Sequence, residues 1–466
     1  MTFQLLIDGH LVDGADRLEV VNPATGKPLC SAPRADADQL EQAIAAARRA
    51  FPGWASAGYA ARRSAVEALA DALEARRDEF ARLLTEEQGK TIKEATGEMI
   101  GAIAGLRYFA AQELTPETLR DDGGSRIIEK RQPLGVVAAI MPWNYPMLML
   151  ALKIGPALIT GNTVIAKPAP TTPLTTLLFG ELAAEILPPG VLQTIVDQND
   201  LGKVLSSHPG INFVSFTGST ATGQKVLAST VDTLKRFSLE LGGNDAALIL
   251  DDASVEAVAP HIFHGATKNA GQICLAIKRV YAPRAMMEPL CAALTRLAAE
   301  AVVGDGLHQG TTMGPINNKA QYEKLLDLIA DARANGTIIA GGGAPEGGGY
   351  FIEPTIVRDL PEESRLVQEE QFGPVLPVQA YDDLDEAIAR INASDYGLGG
   401  SVWTGDVERG IDVASRIESG TVWVNKHLDL PFDVPMGGAK FSGIGRQQGL
   451  EGLKEFTQPT IINAAV

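Results

Sequence analysis

GVVAAIMPWNYPMLMLALKIGPALITGNTVIAK, residues 135–167, reads as two short apolar strands separated by a Pro-bracketed turn and a helix. GVVAAI and TVIAK have the Val/Ile enrichment of buried strands, and the segment between them carries helix formers bounded by Gly and Pro. The alternation continues with LQTIV (192–196), INFVSF (211–216) and RFSLEL (236–241). It resumes beyond the pair Gly242 and Gly243 with ALIL (247–250), a helix near Val255 to Thr267, and KRVYA (278–282). Strand, crossover helix, strand predicts an α/β fold built on parallel sheet. The glycine pair is taken as a domain boundary.

Around this stretch the chain is less regular. The first hundred residues predict amphipathic surface helices, as in DADQLEQAIAAARRAF from Asp36 and the segment Ala60 to Gln88. Between Thr115 and Gly135 an exposed loop followed by a short hydrophilic strand is expected, with TQPTIIN (457–463) as its partner. Two such strands projecting from the body suit subunit pairing by strand addition. GGGAPEGGG (341–349) reads as a surface loop.

Composition narrows the function. A chain of 466 residues exceeds one ordinary domain, and its net charge of −17 disfavours nucleic-acid and anionic-membrane partners, which need clustered Lys and Arg. No apolar run is long enough to span a bilayer, and the opening MTFQLLIDGHLVDG lacks the pattern of a secretory leader, so a cytoplasmic protein acting on a small molecule is expected. The three cysteines, Cys30, Cys274 and Cys291, stand far apart, which argues against disulfides and zinc and leaves free thiols.

Four segments carry candidate chemistry. In KNAGQICLAIKR (268–279) small residues lead into Cys274, which suits either a nucleophile or a buried core thiol; Cys291 fits the core reading better. LELGGN (239–244) sets Glu240 at the end of an apolar strand, where desolvation would raise its pKa toward that of a general base; a capping or ion-pair carboxylate is the alternative. IMPWNYP (140–146) fixes Asn144 at a strand end, as an oxyanion donor or simply a turn residue. FVSFTGSTATG (213–223) places Gly218, Ser219 and Gly223 where a helix opens, ready for a diphosphate or serving only a tight turn.

Together and in this order, Asn144, Lys167 in VIAKPAP, FTGST, LELGGN, GQIC and EEQFGPV (369–375) resemble the aldehyde dehydrogenase superfamily. NPATG (22–26), MGPI (313–316) and PMGGAKFSGIGR (435–446) extend the resemblance over the whole chain. The resemblance implies a doubly wound Rossmann-like cofactor domain (1–115 and 134–241), an α/β catalytic domain (242–440) and a small β oligomerisation extension (116–133 and 441–466). It implies a homodimer or homotetramer.

It also implies that Cys274 is the nucleophile, that Asn144 and the Cys274 backbone N–H hold the oxyanion, and that Glu240 activates water. Lys153 falls where the family has a lysine implicated in proton relay. The cofactor would lie against Ile140, Met141, Pro142, Trp143, Asn144, Lys167, Ala169, Pro170, Gly202, Phe216, Thr217, Gly218, Ser219, Glu240, Leu241, Gly242, Cys274, Glu370 and Phe372. Pro170 stands where NAD-preferring members often carry a carboxylate that repels a 2′-phosphate, yet no Arg or further Lys lies nearby in sequence to hold one. NAD is expected, with NADP admitted. Gln447 replaces a common glutamate, which removes a proton route through that position. Tyr145, Met149, Leu152, Ile273, Leu275 and Met436 would line the pocket of a medium-sized aromatic or aliphatic aldehyde, with the loop Asn425 to Pro435 at its tail; Lys268 is the nearest cation for a carboxylated substrate. Of two competing readings, a thioester passed to coenzyme A needs no base such as Glu240, and a non-catalytic relative would have lost Cys274 or Glu240.

Overall fold

The computed structural model describes residues 2–345 and 348–466. Its first sheet has eight strands, in the order His10–Val12, Leu5–Ile7, Leu192–Thr194, Thr163–Lys167, Val136–Ile140, Phe213–Thr217, Arg236–Glu240 and Gly443–Ile444. The five central strands are mutually parallel. Every residue of Val136–Ile140, Thr163–Lys167 and Phe213–Thr217 is buried, as strands covered on both faces by helices must be. Chain order runs outward from Val136–Ile140 in both directions, so the sheet is doubly wound. Its switch point lies between Val136–Ile140 and Phe213–Thr217, where a crevice opens at the carboxyl ends of the strands.

The second sheet has seven strands, Thr337–Ala340, Thr355–Arg358, Val375–Tyr381, Arg279–Pro283, Ala246–Ile249, Gly399–Trp403 and Thr421–Val424, parallel except for the antiparallel first pair. Strands on either side of Gly242 and Gly243 thus belong to different sheets. A third sheet joins Thr457–Ala465, Ser125–Pro133 and Glu117–Asp121. The closing strand runs antiparallel to Ser125–Pro133 in continuous register from Thr457 with Pro133 to Ala465 with Ser125. No helix among the described residues is long and apolar enough to cross a membrane.

Several local expectations need correction. The first hundred residues contain four strands before any helix, because Leu5, Leu6 and Ile7 are all buried beside Leu192–Thr194 and are too few to show a strand period. The segment from Ala60 to Gln88 is two helices, Gly58–Ala75 and Arg77–Gln88, broken where Arg76 leaves helical geometry at φ −110°, ψ 16°. The expected loop before residue 125 is itself a strand, Glu117–Asp121. Its turn is closed by Asp122, whose Oδ1 accepts from the Gly124 and Ser125 N–H groups at 3.1 and 2.9 Å. The glycine tract at 341–349 connects two antiparallel strands; Glu346 and Gly347, within it, lie outside the described residues.

Two helices bring the N-terminal region to the crevice. Ile92–Ala110 starts at a capping box, Thr91 with Glu94, and packs along Pro146–Ile159. Gly155 permits the approach: a Cβ there would stand 2.9 Å from Cδ2 of the fully buried Phe109. Gly97, on the exposed side of the same pair, has nothing within 4 Å. Gly97→Ala should therefore stabilise the protein by about 1 kcal/mol through helix propensity alone. Gly155→Ala should lower the melting temperature, because overpacking at about 1–3 kcal/mol outweighs that gain. Equal shifts of the two melting temperatures would contradict the close helix contact.

Candidate active site

Asn144 sits in the turn between Val136–Ile140 and the helix Pro146–Ile159, where two side chains and one backbone carbonyl fix it. Its carbonyl accepts from Lys90 Nζ at 2.8 Å and from Asn269 Nδ2 at 3.1 Å, while its own Nδ2 donates to the Gln272 carbonyl at 2.9 Å. One N–H of the amide remains to point elsewhere. Lys90 is fully buried, pairs with Glu98 at 2.5 Å and lies 3.6 Å from the centre of the Tyr145 ring. Tyr145 offers no side-chain cap to the helix it precedes; Glu98 supplies one from the neighbouring helix, accepting from Met147 and Leu148 N–H at 2.9 and 3.1 Å.

The segment leading to Cys274 takes an uncommon path. Asn269, Ala270 and Gly271 are all left-handed, with φ of 52°, 54° and 71°. Side chains hold the turn: Glu94 accepts from the Asn269 N–H at 2.7 Å, Gln272 Nε2 donates to the Asn269 carbonyl at 2.9 Å, and Gln272 Oε1 accepts from Asn317 N–H at 2.8 Å. Two non-glycine residues in this region store strain of about 1–3 kcal/mol each, which survives only where neighbours enforce it. Cys274 emerges partly accessible to solvent, with burial pushing its thiol up to about 12 against the pull of Lys278.

Glu240 ends the strand Arg236–Glu240, and neither of its buried carboxylate oxygens has a hydrogen-bond partner. Burial pushes it up to about 8, opposed by the positive charges of Lys153 and Arg446. Lys153, on the helix Pro146–Ile159, is lowered to about 7 by burial; its Nζ donates to Ser215 Oγ at 2.9 Å, and Ser238 Oγ donates to the same oxygen at 3.3 Å. Gln447 is buried on an isolated bridge with Met436.

The residues expected at the cofactor gather at the carboxyl ends of the first sheet's strands. Ile140, Met141, Phe216 and Leu241 form apolar walls there. Lys167 pairs with Asp197 at 2.5 Å, and the position of a Cβ on Gly202 lies 3.8 Å from its Cε. Ala169 and Pro170 follow, half-buried. Thr217 Oγ1 is buried without a partner, Gly218 N–H donates to the Glu240 carbonyl at 3.0 Å, and Ser219 caps the helix Thr220–Thr230. Pro142 and Trp143 are half-buried, with the Trp143 ring edge-on to Phe372 at 5.3 Å. Glu370 Oε1 accepts from Gly243 N–H at 2.9 Å, beside Gly242, which has no room for a Cβ.

Apolar residues divide into two neighbouring clusters. Cys274, Tyr145, Ile273, Leu275 and Met436 share one with Leu398, Trp423, Leu428 and Leu430, while Met149 and Leu152 share the other with Leu148, Tyr108 and Phe432. Tyr108 and Phe432 stack at 6.2 Å. Lys90, Glu94, Glu98, Asn269, Gln272 and Lys278 were not foreseen as parts of the site. Lys90 and Glu98 belong to a helical region that reads as surface, and only the unusual KT following QG at the helix end (residues 87–91, EQGKT) hinted otherwise.

Comparisons with known proteins show which family the chain resembles over its whole length. Phenylacetaldehyde dehydrogenase of Pseudomonas fluorescens is 39% identical over 97% of this chain and 94% of its own. Betaine aldehyde dehydrogenase of Staphylococcus aureus, solved in complex with NAD+, is 34% identical with a TM-score of 0.96, covering 99% of this chain and 94% of that one. An NADP-dependent enzyme of E. coli is 33% identical with a TM-score of 0.97, covering 100% and 98%. With the model of the aldehyde dehydrogenase family matching residues 11–462, the chain belongs to that family.

Proposed function

We propose that the protein oxidises a medium-sized aromatic or aliphatic aldehyde to its carboxylic acid, with NAD or NADP as oxidant, through a thioester on Cys274. The observation that carries this reading is a half-accessible thiol flanked by a fixed amide, Asn144, and by the partnerless buried carboxylate of Glu240. The cofactor fits the crevice: Thr217 Oγ1 and the Glu240 oxygens are unpartnered there, Ser219 opens a helix, and Gly242 leaves no bulk beside Glu370. Lys167 and Glu370 would hold the ribose hydroxyls, Gly218 and Ser219 would meet the diphosphate, Trp143 would line the cleft and Phe372 would pack near the nicotinamide ribose. Pro170 brings no charge against a 2′-phosphate, so NADP is admitted beside NAD.

The thiol proton leaves to Glu240, and sulfur adds to the aldehyde carbon. The free N–H of Asn144 and the Cys274 backbone N–H stabilise the resulting oxyanion. Bound NAD(P) supplies the acceptor for the hydride released when the tetrahedral adduct collapses to the thioester. Once that first proton has been passed on, ionised Glu240 takes a proton from water as the water oxygen attacks the thioester carbon, and the adduct expels the Cys274 thiolate, freeing the carboxylic acid. Lys153, near neutrality and linked to Ser215, carries protons away from Glu240. The aromatic pair Tyr108 and Phe432, with Met149 and Leu152 beyond Tyr145, favours an apolar substrate tail, in keeping with the phenylacetaldehyde dehydrogenase likeness. We assign residues 1–115 and 134–241 to the cofactor domain, 242–440 to the catalytic domain and 116–133 with 441–466 to the extension, except that Gly443–Ile444 joins the first sheet beside Arg236–Glu240; exposed Ile461 and Ile462 on the closing strand suit a homodimer or homotetramer.

Cys274→Ala should abolish reduced-cofactor formation on an aldehyde panel while NAD binding, read by calorimetry, stays within about threefold, a change of about 0.65 kcal/mol; retained turnover would sink the mechanism. Hydrolysis of the acyl-enzyme should rise with pH and level off above about 8, because protonated Glu240 cannot accept water's proton. In Glu240→Gln that rise should vanish and the thioester should persist in intact-mass spectra; a wild-type profile in the variant would remove Glu240 from the step.

A further inference from the structure

Four residues after Cys274 stands a lysine that the reaction scheme leaves unused. Lys278 is 1% exposed, and its Nζ donates to the Ile273 carbonyl at 2.9 Å and to the Cys274 carbonyl at 2.6 Å. Its third direction faces Glu370 Oε1 at 3.7 Å. An ammonium has three donors, and here two are spent on the backbone of the nucleophile itself. Glu370 in turn binds the Gly243 N–H, and a Cβ on Gly243 would stand 2.7 Å from the Cys274 carbonyl, so the turn after Glu240 closes over the same point. One buried cation therefore touches the nucleophile segment and the carboxylate assigned to the ribose.

The charges facing Cys274 make that cation necessary. Glu240 approaches from the end of Arg236–Glu240, Asp245 from the start of Ala246–Ile249, and Glu370 from the segment before Val375–Tyr381; all three carboxylates oppose a thiolate. Tyr145 faces the thiol from the Asn144 turn, with its phenol pushed far up by burial, and stays neutral. His427, whose Nε2 lies 2.7 Å from the Leu275 carbonyl, is pushed down to about 4 by burial and is neutral as well. Lys278 is the cation that acts on the sulfur from within this group. Its backbone is anchored too, since Lys278 N–H donates to the Asp245 carbonyl at 2.9 Å.

We propose that Lys278 is the positioning residue of the nucleophile segment: its ammonium clamps the Ile273 and Cys274 carbonyls against Glu370 and so keeps a positive charge on the backbone that carries the thiol. The inference rests on the reading of Cys274 as nucleophile, but its test does not need turnover.

The test is the pH dependence of Cys274 alkylation by iodoacetamide, read by peptide mass spectrometry on the full-length protein. Lys278→Gln keeps a donor for the carbonyls and loses the charge. Its alkylation midpoint should rise by at least about one pH unit, making labelling about tenfold slower at fixed pH below the midpoint. Lys278→Arg should restore most of the rate. A folded Lys278→Gln protein with the wild-type profile overturns the proposal. Should that variant not fold, Lys278→Gln combined with Glu370→Gln removes both charges of the pair: compared with Glu370→Gln alone its midpoint should still rise by about one pH unit, and equal midpoints overturn the proposal. Alkylation is read at Cys274 whatever reaction the protein runs, so failure here is distinct from retained activity in Cys274→Ala.

Discussion

The ammonium of Lys90, buried between the Glu98 carboxylate and the Asn144 carbonyl, is the contact on which the arrangement of the site depends. Breaking such a buried pair by removing one member costs about 3–5 kcal/mol, because the other charge is stranded away from water. Both members are fully buried, and each also holds backbone: Lys90 fixes the Asn144 carbonyl, and Glu98 caps the helix that follows it. The N-terminal helix Ile92–Ala110 thereby reaches into a crevice formed by residues far away in sequence. It reaches the other side as well, through Glu94 and the Asn269 N–H. The turn that carries Asn144 and the segment that leads to Cys274 are both held by one helix.

Strain and buried charge then work together. Three successive left-handed residues turn the chain just before Cys274; the side chains of Glu94 and Gln272 bind that turn, and the Asn317 backbone N–H fixes the Gln272 side chain in its place. Lysines reinforce it: Lys90 at the Asn144 carbonyl, Lys278 at the Ile273 and Cys274 carbonyls. Lys153 differs, since its hydroxyl partner carries no charge and burial brings it near neutrality beside Glu240. Two of these lysines hold main chain, and the third binds a hydroxyl.

The central strands were legible because a strand buried on both faces needs an unbroken apolar run, and GVVAAI, TVIAK and FVSF are such runs. The closing strand and its partner were legible for the opposite reason, being hydrophilic and unsuited to any core. Leu5–Ile7 and Glu117–Asp121 escaped, the first too short to show a period and the second too polar to announce a sheet. Taken singly, Cys274, Asn144 and Glu240 each fitted a bland role as well as a chemical one; only their joint order pointed to a site. Apart from the faint hint of KT after QG at residues 87–91, Lys90, Glu98 and Lys278 escaped, because lysine and glutamate are ordinarily exposed and burial by tertiary packing leaves little mark on a single sequence.

The most direct test of this account is a double-mutant cycle on kcat between Asn144→Ala and the paired change Lys90→Met with Glu98→Gln, treated as one change so that neither buried charge is left without its partner. If Lys90 acts by holding the Asn144 amide in place, the two losses are not additive, and the combined variant is no slower than Asn144→Ala alone. Losses that multiply as independent factors would contradict the claim that this buried ammonium positions the oxyanion donor.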